Sequence, residues 1–334
     1  MLNLGIIGTN WITNQFVDAA IATGEYQLVG VYSRKLEQAE KFGAPYQATI
    51  FENDLEKFAQ HPEIDVVYIA SPNSLHFQQA VTLMEAKKHV IIEKPVFSNP
   101  SEWELATEVA ERNNVLMLEA ARHIHEENFA VVKNEISKLG TIAGATFTYM
   151  KYSSRYDQVL AGDEPNIFSL RFSGGALSDL GVYSVYAAVG WFGMPESCHY
   201  FPQKIATGVD GMGTIILRYP TFNVTLITGK IVQSYLPSEI YSLDKTIVMD
   251  GVNAISSIEV VDWKNDQTMQ LAAAPKENPM VDEAKAFADV INAPETEENK
   301  EKYASWLKLS REVNQVLKAL RDDAGIVFEA DTEK

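Results

Sequence analysis

The chain has 334 residues, of which 46% are hydrophobic, and this length predicts two domains rather than one core. Lysine and arginine number 28 against 45 aspartates and glutamates, and the net charge of −17 argues against nucleic acid and anionic membranes as partners. The one cysteine, Cys198, excludes an intrachain disulfide and is typical of a cytoplasmic protein; we interpret it as a small buried residue rather than a reactive thiol.

Strands and helices alternate over the first third of the chain. Apolar runs predict strands at residues 4–8, 26–32, 65–70, 89–93 and 115–118. Helical patterns occupy most of the connections, and this rhythm predicts a parallel, doubly wound sheet. We assign residues 1–121 to this α/β domain.

Longer alternating runs follow residue 121 and predict a mostly antiparallel sheet. They cover residues 144–151, 213–219, 223–233, 245–250 and 257–263. The longest uncharged stretch, residues 180–194, is shorter than the roughly 20 residues of a membrane span, so we predict a buried helix there. Two helices, at 280–292 and 299–320, close a second domain of residues 122–334.

The segment Glu93-Lys94-Pro95 is the most informative in the chain. It ends the apolar run of residues 89–92, so two opposite charges stand at the carboxyl end of a buried parallel strand. Open α/β sheets bind their ligands at that edge. A partly desolvated lysine there is suited to handling protons and charge.

The turn after the first strand supplies candidate cofactor contacts: Gly8, Thr9, Asn10, Trp11 and Ile12. A dinucleotide fingerprint has glycine at positions 8, 10 and 13, and only Gly8 is present. Asn10 is a tolerable substitute because asparagine enters the left-handed conformation easily, and Thr13 can cap the helix. An ordinary tight turn is the alternative, but the following helix N-terminus would stabilise a pyrophosphate.

The end of the second strand favours NADP over NAD. An NAD site carries an acid about here to bind the ribose hydroxyls, and this chain has none. Instead Ser33 can hydrogen-bond a 2′-phosphate, which Arg34 and Lys35 can neutralise. The alternative is that both cations belong to a solvated helix start.

Two further segments give the chain a family resemblance. Ala70-Ser71-Pro72-Asn73-Ser74-Leu75-His76 follows the third predicted strand, and Gly174-Gly175-Ala176-Leu177-Ser178-Asp179-Leu180-Gly181-Val182-Tyr183 lies in the second domain. Together with Glu93-Lys94-Pro95 they resemble the glucose–fructose oxidoreductase and inositol dehydrogenase (Gfo/Idh/MocA) family. The resemblance runs from Leu4 to the last helix.

The resemblance implies a Rossmann domain followed by an α+β domain with a large open sheet that forms homodimers or homotetramers. It implies hydride transfer between NAD(P) and a hydroxyl or carbonyl of a sugar, polyol or cyclic diol. Lys94 is then the catalytic lysine, its bond to Pro95 is often cis, and the cofactor-side residues are Ala70, Ser71, Pro72, Asn73, His76, Glu93 and Pro95. Most relatives have Asp-x-x-x-His in the third motif; the tyrosine at 183 resembles glucose–fructose oxidoreductase and the dimeric dihydrodiol dehydrogenases.

Asp179 and Tyr183 are four residues apart and would share one face of a helix. Hydride transfer needs a partner for the hydroxyl proton, and a nearby ammonium such as Lys94 would favour the phenolate of Tyr183. We therefore expect Tyr183 to donate the proton in reduction, Lys94 to stabilise the alkoxide, and Asp179 to orient the substrate or Lys94. The alternatives are that Tyr183 only packs and that Asp179 is a helix cap. The preceding Gly174-Gly175 predicts a flexible loop whose backbone approaches a ligand.

The segment Arg122-His123-Ile124-His125 suggests metal ligands if it forms a strand, yet no third ligand cluster accompanies it, so we predict no metal site. It lies where relatives line the substrate pocket, which makes Arg122 and His123 candidate substrate contacts. Asn166, Phe168 and Arg171, before the double glycine, are further candidates.

The leading hypothesis is an NADP- or NAD-dependent oxidoreductase for a small hydroxyl or carbonyl substrate. A biliverdin-reductase-like enzyme and a non-catalytic NAD(P)-binding regulatory sensor are the alternatives. Retention of Lys94, Asp179 and Tyr183 together favours catalysis, because a sensor has no chemical need for all three.

Overall fold

The computed structural model describes residues 1–332, which divide into two compact units. The first unit comprises Met1–Arg122 and Glu277–Arg311, and the second comprises His123–Lys276 and the residues from Glu312 onward. The second unit therefore differs from the predicted domain of residues 122–334, since residues 277–311 group with the first unit. The reason is burial, because Ala284 and Phe287 lie in the hydrophobic core on one face of the first sheet.

The first unit is built on a parallel six-stranded sheet in the order β3-β2-β1-β4-β5-β6. Its elements are β1 (Leu2–Ile7), α1 (Trp11–Ala22), β2 (Tyr26–Tyr32), α2 (Leu36–Gly43), β3 (Ile50–Glu52), α3 (Leu55–Ala59), β4 (Val66–Ile69), α4 (His76–Glu85), β5 (His89–Glu93), α5 (Pro100–Asn113) and β6 (Met117–Ala120). The strand order reverses at β1 and β4, and doubly wound sheets bind ligands at such a switch point.

The second unit is built on an eight-stranded sheet in the order β14-β13-β12-β11-β7-β10-β9-β8. Its elements begin with α6 (Glu127–Ile136), β7 (Ile142–Met150), α7 (Tyr156–Leu160), α8 (Val182–Phe192), β8 (Ser197–Lys204), β9 (Asp210–Arg218), β10 (Asn223–Gly229), β11 (Ser238–Ser242), β12 (Lys245–Met249), β13 (Ile258–Asp262) and β14 (Gln267–Gln270). All neighbours are antiparallel except β7 and β10, which are parallel. The predicted fold class is therefore confirmed, with a mixed second sheet.

Two helices close the chain, α9 (Val281–Asn292) and α10 (Glu297–Asp323). The first part of α10 is tied to the sheet of the first unit. The Tyr303 hydroxyl oxygen accepts a hydrogen bond from the backbone N–H of Met117 on β6 at 3.1 Å. The indole N–H of Trp103, on α5, donates to the Ser310 hydroxyl at 3.1 Å.

The predicted buried helix at residues 180–194 is confirmed as α8, whose side chains are nearly all buried. Within residues 1–332, no helix is both long enough and apolar enough to cross a bilayer.

Candidate active site

The turn between β1 and α1 is shaped by a glycine and an asparagine. Gly8 has a φ of 103°, and a Cβ there would lie 2.7 Å from the Ala70 carbonyl oxygen, so only glycine fits. Asn10 has an extended backbone, with φ −96° and ψ 178°, so the predicted left-handed conformation is wrong. It acts instead as the N-cap of α1, and its Oδ1 accepts from the N–H groups of Ile12 and Thr13 at 3.0 and 3.2 Å.

This turn is joined to the neighbouring strand at the switch point. The Asn10 amide donates to the Ala70 carbonyl at the end of β4 over 3.0 Å. Thr9 and Ile12 are partly buried beside it, and Trp11 is 72% exposed at the first residue of α1. The predicted contacts of this turn therefore lie together at one edge of the sheet.

The end of β2 carries two cations and a buried hydroxyl. Arg34 and Lys35 are exposed, while Ser33 is buried and donates its backbone N–H to Glu52 at 3.1 Å. The Ser33 hydroxyl oxygen accepts from the N–H of Lys35 at 3.4 Å, which orients it at the start of α2.

The loop after β4 is attached to the loop after β5 by one buried histidine. His76 is fully buried, with Nε2 at 2.9 Å from the Ser71 carbonyl and Nδ1 at 3.2 Å from the carbonyls of both Pro95 and Val96. Burial lowers the pKa of His76, and the nearby Lys94 charge lowers it further. Ser71, Pro72 and Asn73 are partly exposed at this edge. His76 therefore links the two loops, because its ring nitrogens lie next to backbone carbonyls of both.

Glu93, Lys94 and Pro95 stand at the carboxyl end of β5. The bond between Lys94 and Pro95 is cis. Glu93 is buried and accepts a hydrogen bond of 2.5 Å from Tyr68, whose ring stacks on Phe16. Burial raises the pKa of Glu93, and Lys94, Tyr68 and Arg122 partly offset that rise. Lys94 itself is partly exposed at this edge.

The segment after Pro95 is held by a second carboxylate, which is only partly buried and which the sequence did not single out. Glu119 on β6 accepts from the Val96 N–H at 3.0 Å and from the Ser310 hydroxyl at 2.5 Å. Ser310 in turn receives the Trp103 indole N–H. Lys94 is thus carried on a loop that is fixed by His76 on one side and Glu119 on the other.

In the second unit, Asp179 and Tyr183 occupy consecutive helical segments. Asp179 lies in a π-helical turn, Leu177–Gly181, and Tyr183 lies in the first turn of α8. π-helical turns are rare in proteins, but those that occur are often found at functional sites. The ring of Tyr183 packs against His123 with ring centroids 4.9 Å apart, and against Tyr149 edge-on at 5.6 Å.

The double glycine before Asp179 is buried, and the predicted flexible, ligand-facing loop is wrong. A Cβ on Gly174 would lie 2.7 Å from the Ile167 backbone, and one on Gly175, whose φ is 122°, would lie 2.1 Å from Asp210 Oδ1. The close approach that requires glycine is to the protein itself. Asp210 is buried and accepts from the Leu177 N–H and the Tyr200 hydroxyl, both at 2.6 Å, so it anchors the start of the π-helical turn.

The four predicted substrate contacts have different surroundings. Arg122 belongs to the first unit, where its charge acts on the Glu93 carboxyl. His123 belongs to the second unit and is buried between the rings of Tyr183 and Tyr186. The two others flank the buried Phe168: Asn166 is partly buried, and Arg171 is exposed with its guanidinium 5.3 Å from the Phe172 ring centre.

Residues 122–125 form a 3-10 turn, so the strand that would have aligned His123 with His125 is absent. Burial lowers the pKa of His125 to about 3, which keeps its imidazole neutral. Within residues 1–332, no group of three histidine, cysteine, aspartate or glutamate side chains is arranged to hold a metal ion. Cys198 is partly buried on β8, and burial raises the pKa of its thiol, which disfavours the reactive thiolate.

Comparison with known proteins identifies the family. A family model described as an oxidoreductase family with an NAD-binding Rossmann fold (GFO_IDH_MocA) matches residues 2–120. The scyllo-inositol 2-dehydrogenase (NADP(+)) IolU of Bacillus subtilis is 39% identical over 334 residues, covering 99% of both chains. The chain belongs to this oxidoreductase family. The predicted family and the predicted NAD(P)-dependent oxidoreductase activity are therefore confirmed.

Two more distant relatives extend the comparison. A trans-1,2-dihydrobenzene-1,2-diol dehydrogenase of Danio rerio is 27% identical over 242 residues, covering 71% of this chain and 70% of that protein. The crystal structure of a 3-ketoreductase from Actinomadura kijaniata, in complex with NADP and TDP-benzene, superposes with a TM-score of 0.84 at 19% identity, covering 96% of this chain and 97% of that one. The structural likeness supports the fold.

The described residues fit a nicotinamide dinucleotide. The first turn of α1 contains no acid, Gly8 leaves no Cβ at the sheet edge, and the end of β2 presents cations rather than a carboxylate. Each of these features suits an anionic ligand at the switch point of the first sheet.

Proposed function

We propose that this protein is an NADP-preferring dehydrogenase or reductase of cyclic polyols or diols. The observation that carries the proposal is the pair Asp179 and Tyr183, each fixed by neighbours in the second unit, in a chain that also keeps the Glu93-Lys94-Pro95 loop. The substrate class follows from the names of two relatives, which act on an inositol and on a dihydrobenzenediol.

Three groups of residues in the first unit are proposed to bind the cofactor. Ser33, Arg34 and Lys35 bind the 2′-phosphate, the turn from Gly8 to Ile12 receives the pyrophosphate, and residues 70–73 border the cofactor. His76, Glu93 and Pro95 shape the loops around it. The nicotinamide supplies or accepts the hydride when it is bound.

The proton and the developing charge are handled by three side chains. Lys94 stabilises the substrate oxygen as it becomes an alkoxide, because a cation there interacts more strongly with the charged than with the neutral form. Tyr183 donates the proton in reduction and removes it in oxidation. Asp179 accepts a hydrogen bond from the substrate. Asn166 and Arg171 are proposed to contact the substrate, and Arg122 and His123 to position Glu93 and Tyr183.

A panel assay tests the proposal. The purified protein is incubated with scyllo-inositol, a stereoisomeric inositol and trans-1,2-dihydrobenzene-1,2-diol, each with NADP⁺ and with NAD⁺, and absorbance at the reduced-nicotinamide band is followed. Turnover of at least one cyclic substrate, faster with NADP⁺, is expected. Micromolar NADPH binding without turnover of any hydroxyl or carbonyl compound would favour the regulatory sensor instead.

The Arg34→Ala variant tests the cofactor preference. Loss of a charge-assisted contact to the 2′-phosphate is expected to weaken NADPH binding about tenfold and to leave NADH binding unchanged. Fluorescence titration with each nucleotide measures this. Lys41→Ala, an exposed lysine of the following helix α2, is the matched control and is expected to bind both nucleotides like the wild type. Equal losses for NADPH and NADH would contradict the assignment.

Self-association through the second sheet is also proposed. Along its strands, buried residues alternate with partly exposed ones. The partly exposed face carries Ile216, Ile227 and Val248. A homodimer or homotetramer would cover these apolar side chains. Sedimentation equilibrium of the wild-type protein is expected to give a mass of two or four chains, and a monomer at all concentrations would reject this interface. A cytoplasmic location stays a prediction from the single cysteine.

A further inference from the structure

Lys230 follows β10 and is buried to 1% exposure. Its main chain is fixed on both sides, since its N–H donates to the Gly211 carbonyl at 2.7 Å and its carbonyl accepts from the Ser153 N–H at 2.9 Å. A lysine is rarely buried without compensation, because removing an ammonium from water is costly. The role of this lysine is therefore to be sought in the groups that compensate the burial of its ammonium.

The ammonium of Lys230 is directed at the carboxylate of Asp179. Lys230 Nζ forms an ion pair and hydrogen bond with Asp179 Oδ2. The same Nζ lies 4.9 Å from the centre of the Phe168 ring, a distance suited to a cation–π contact. Asp210, on β9, interacts electrostatically with Lys230 and holds Tyr200 and the π-helical turn. Lys230 thus lies among two carboxylates and an aromatic face.

The two partners of the ion pair differ in exposure. The side chain of Lys230 is 2% exposed, whereas that of Asp179 is 37% exposed. The pair is therefore one-sided, with the cation inside the protein and the carboxylate at its boundary. A carboxylate held in this way is fixed in direction and kept charged while part of it faces outward.

We propose that Lys230 is a positioning residue for the reaction, which keeps Asp179 ionised and aimed at the substrate hydroxyl. This inference rests on the proposed role of Asp179 as a hydrogen-bond acceptor for the substrate. An ionised carboxylate only accepts hydrogen bonds, whereas a protonated one can present its O–H to the substrate. Without Lys230 the carboxylate would lose both its orientation and part of the stabilisation of its charge.

The first arm of the test is kinetic. The Lys230→Met variant is expected to lower kcat with the substrate found in the panel by about 10²-fold, by loss of positioning and charge. The acidic limb of its kcat/KM profile is expected to move to higher pH, because Asp179 then protonates more easily. NADPH binding is expected to stay within a few-fold of wild type. Lys230→Arg is expected to restore most of the activity and the wild-type acidic limb.

Lys318→Met is the matched control, since Lys318 pairs with Asp322 on the surface of α10. Its profile is expected to match the wild type. If Lys230→Met instead lowers activity equally at all pH values, without a shift of the acidic limb, Lys230 is merely structural and the proposal is wrong.

The second arm needs no turnover. Aspartate labelled with ¹³C at the carboxyl carbon is incorporated, and the Asp179 signal is assigned by its loss in Asp179→Asn. Titration is expected to show a pKa at least about one unit higher in Lys230→Met than in the wild type. An unchanged Asp179 pKa contradicts the inference even if the enzyme is active. An inactive wild type with a shifted Asp179 pKa would reject the proposed function and leave the effect of Lys230 on the Asp179 charge in place.

Discussion

The Lys94→Met variant is expected to lose about 10²–10³-fold in kcat while binding NADPH almost as well as the wild type. Methionine keeps the unbranched apolar stem of the side chain but removes the ammonium. Lys94 is partly exposed at the sheet edge, and its charge reaches both His76 and Glu93. The variant therefore loses stabilisation of the alkoxide, an interaction made mainly in the transition state. Steady-state kinetics and NADPH fluorescence measure the two effects separately.

Lys57→Met, an exposed lysine of α3, is the control for removing one positive charge from the first unit. Its kcat and NADPH affinity are expected to equal those of the wild type. If Lys94→Met turns over substrate at the wild-type rate, the assigned mechanism is wrong. If it loses NADPH binding as strongly as activity, Lys94 serves the cofactor rather than the alkoxide.

The Tyr183→Phe variant is expected to lower kcat by about 10²–10⁴-fold, because it removes the hydroxyl that exchanges the substrate proton. The ring remains, so its contacts with His123 and Tyr149 are preserved and the fold is expected to hold. Rates are measured in both directions with the substrate from the panel. A loss in oxidation and reduction alike is expected, since the same group returns the proton in the reverse reaction.

Tyr186→Phe is the matched control, because Tyr186 lies on the same helix and packs against the same imidazole of His123. Removal of its hydroxyl is expected to leave kcat within a few-fold of wild type. Equal losses in Tyr183→Phe and Tyr186→Phe would show that the aromatic cluster, and not the Tyr183 hydroxyl, is what the reaction needs.

The first sheet was largely predictable because its strands are buried and apolar. The predicted strand at residues 26–32 coincides with β2, and the others agree within a few residues. The short β3 and α3 were missed, since three-residue and five-residue elements leave too little periodicity to detect. In the second unit, β8, β11 and β14 were missed, and β14 is exposed along its length, so it has no apolar alternation at all.

Candidate site residues could be proposed from the sequence where a residue type is unusual for its position, as with the charges at the end of β5. Lys94 carries such a signal, whereas Tyr183 was singled out only through the family resemblance, and the side chains that hold the two residues carry no signal. Glu119 lies on an otherwise ordinary strand and Lys230 directly after one, and their importance depends on contacts with residues far along the chain. The run 223–233 was predicted as one strand, but β10 ends at Gly229, so Lys230 lies beyond the end of the strand.

The first unit is built from two segments that are far apart in the chain, so its two parts are synthesised at different times. Residues 1–122 leave the ribosome first, yet their core includes Phe287, and their Glu119 carboxylate and Trp103 indole bind Ser310. Until that late segment emerges, Glu119, which holds the loop carrying Lys94, lacks its hydrogen bond from Ser310. Nearly the whole chain must therefore be synthesised before this core is complete, although α1 and α2 can already pack on the same face of the sheet.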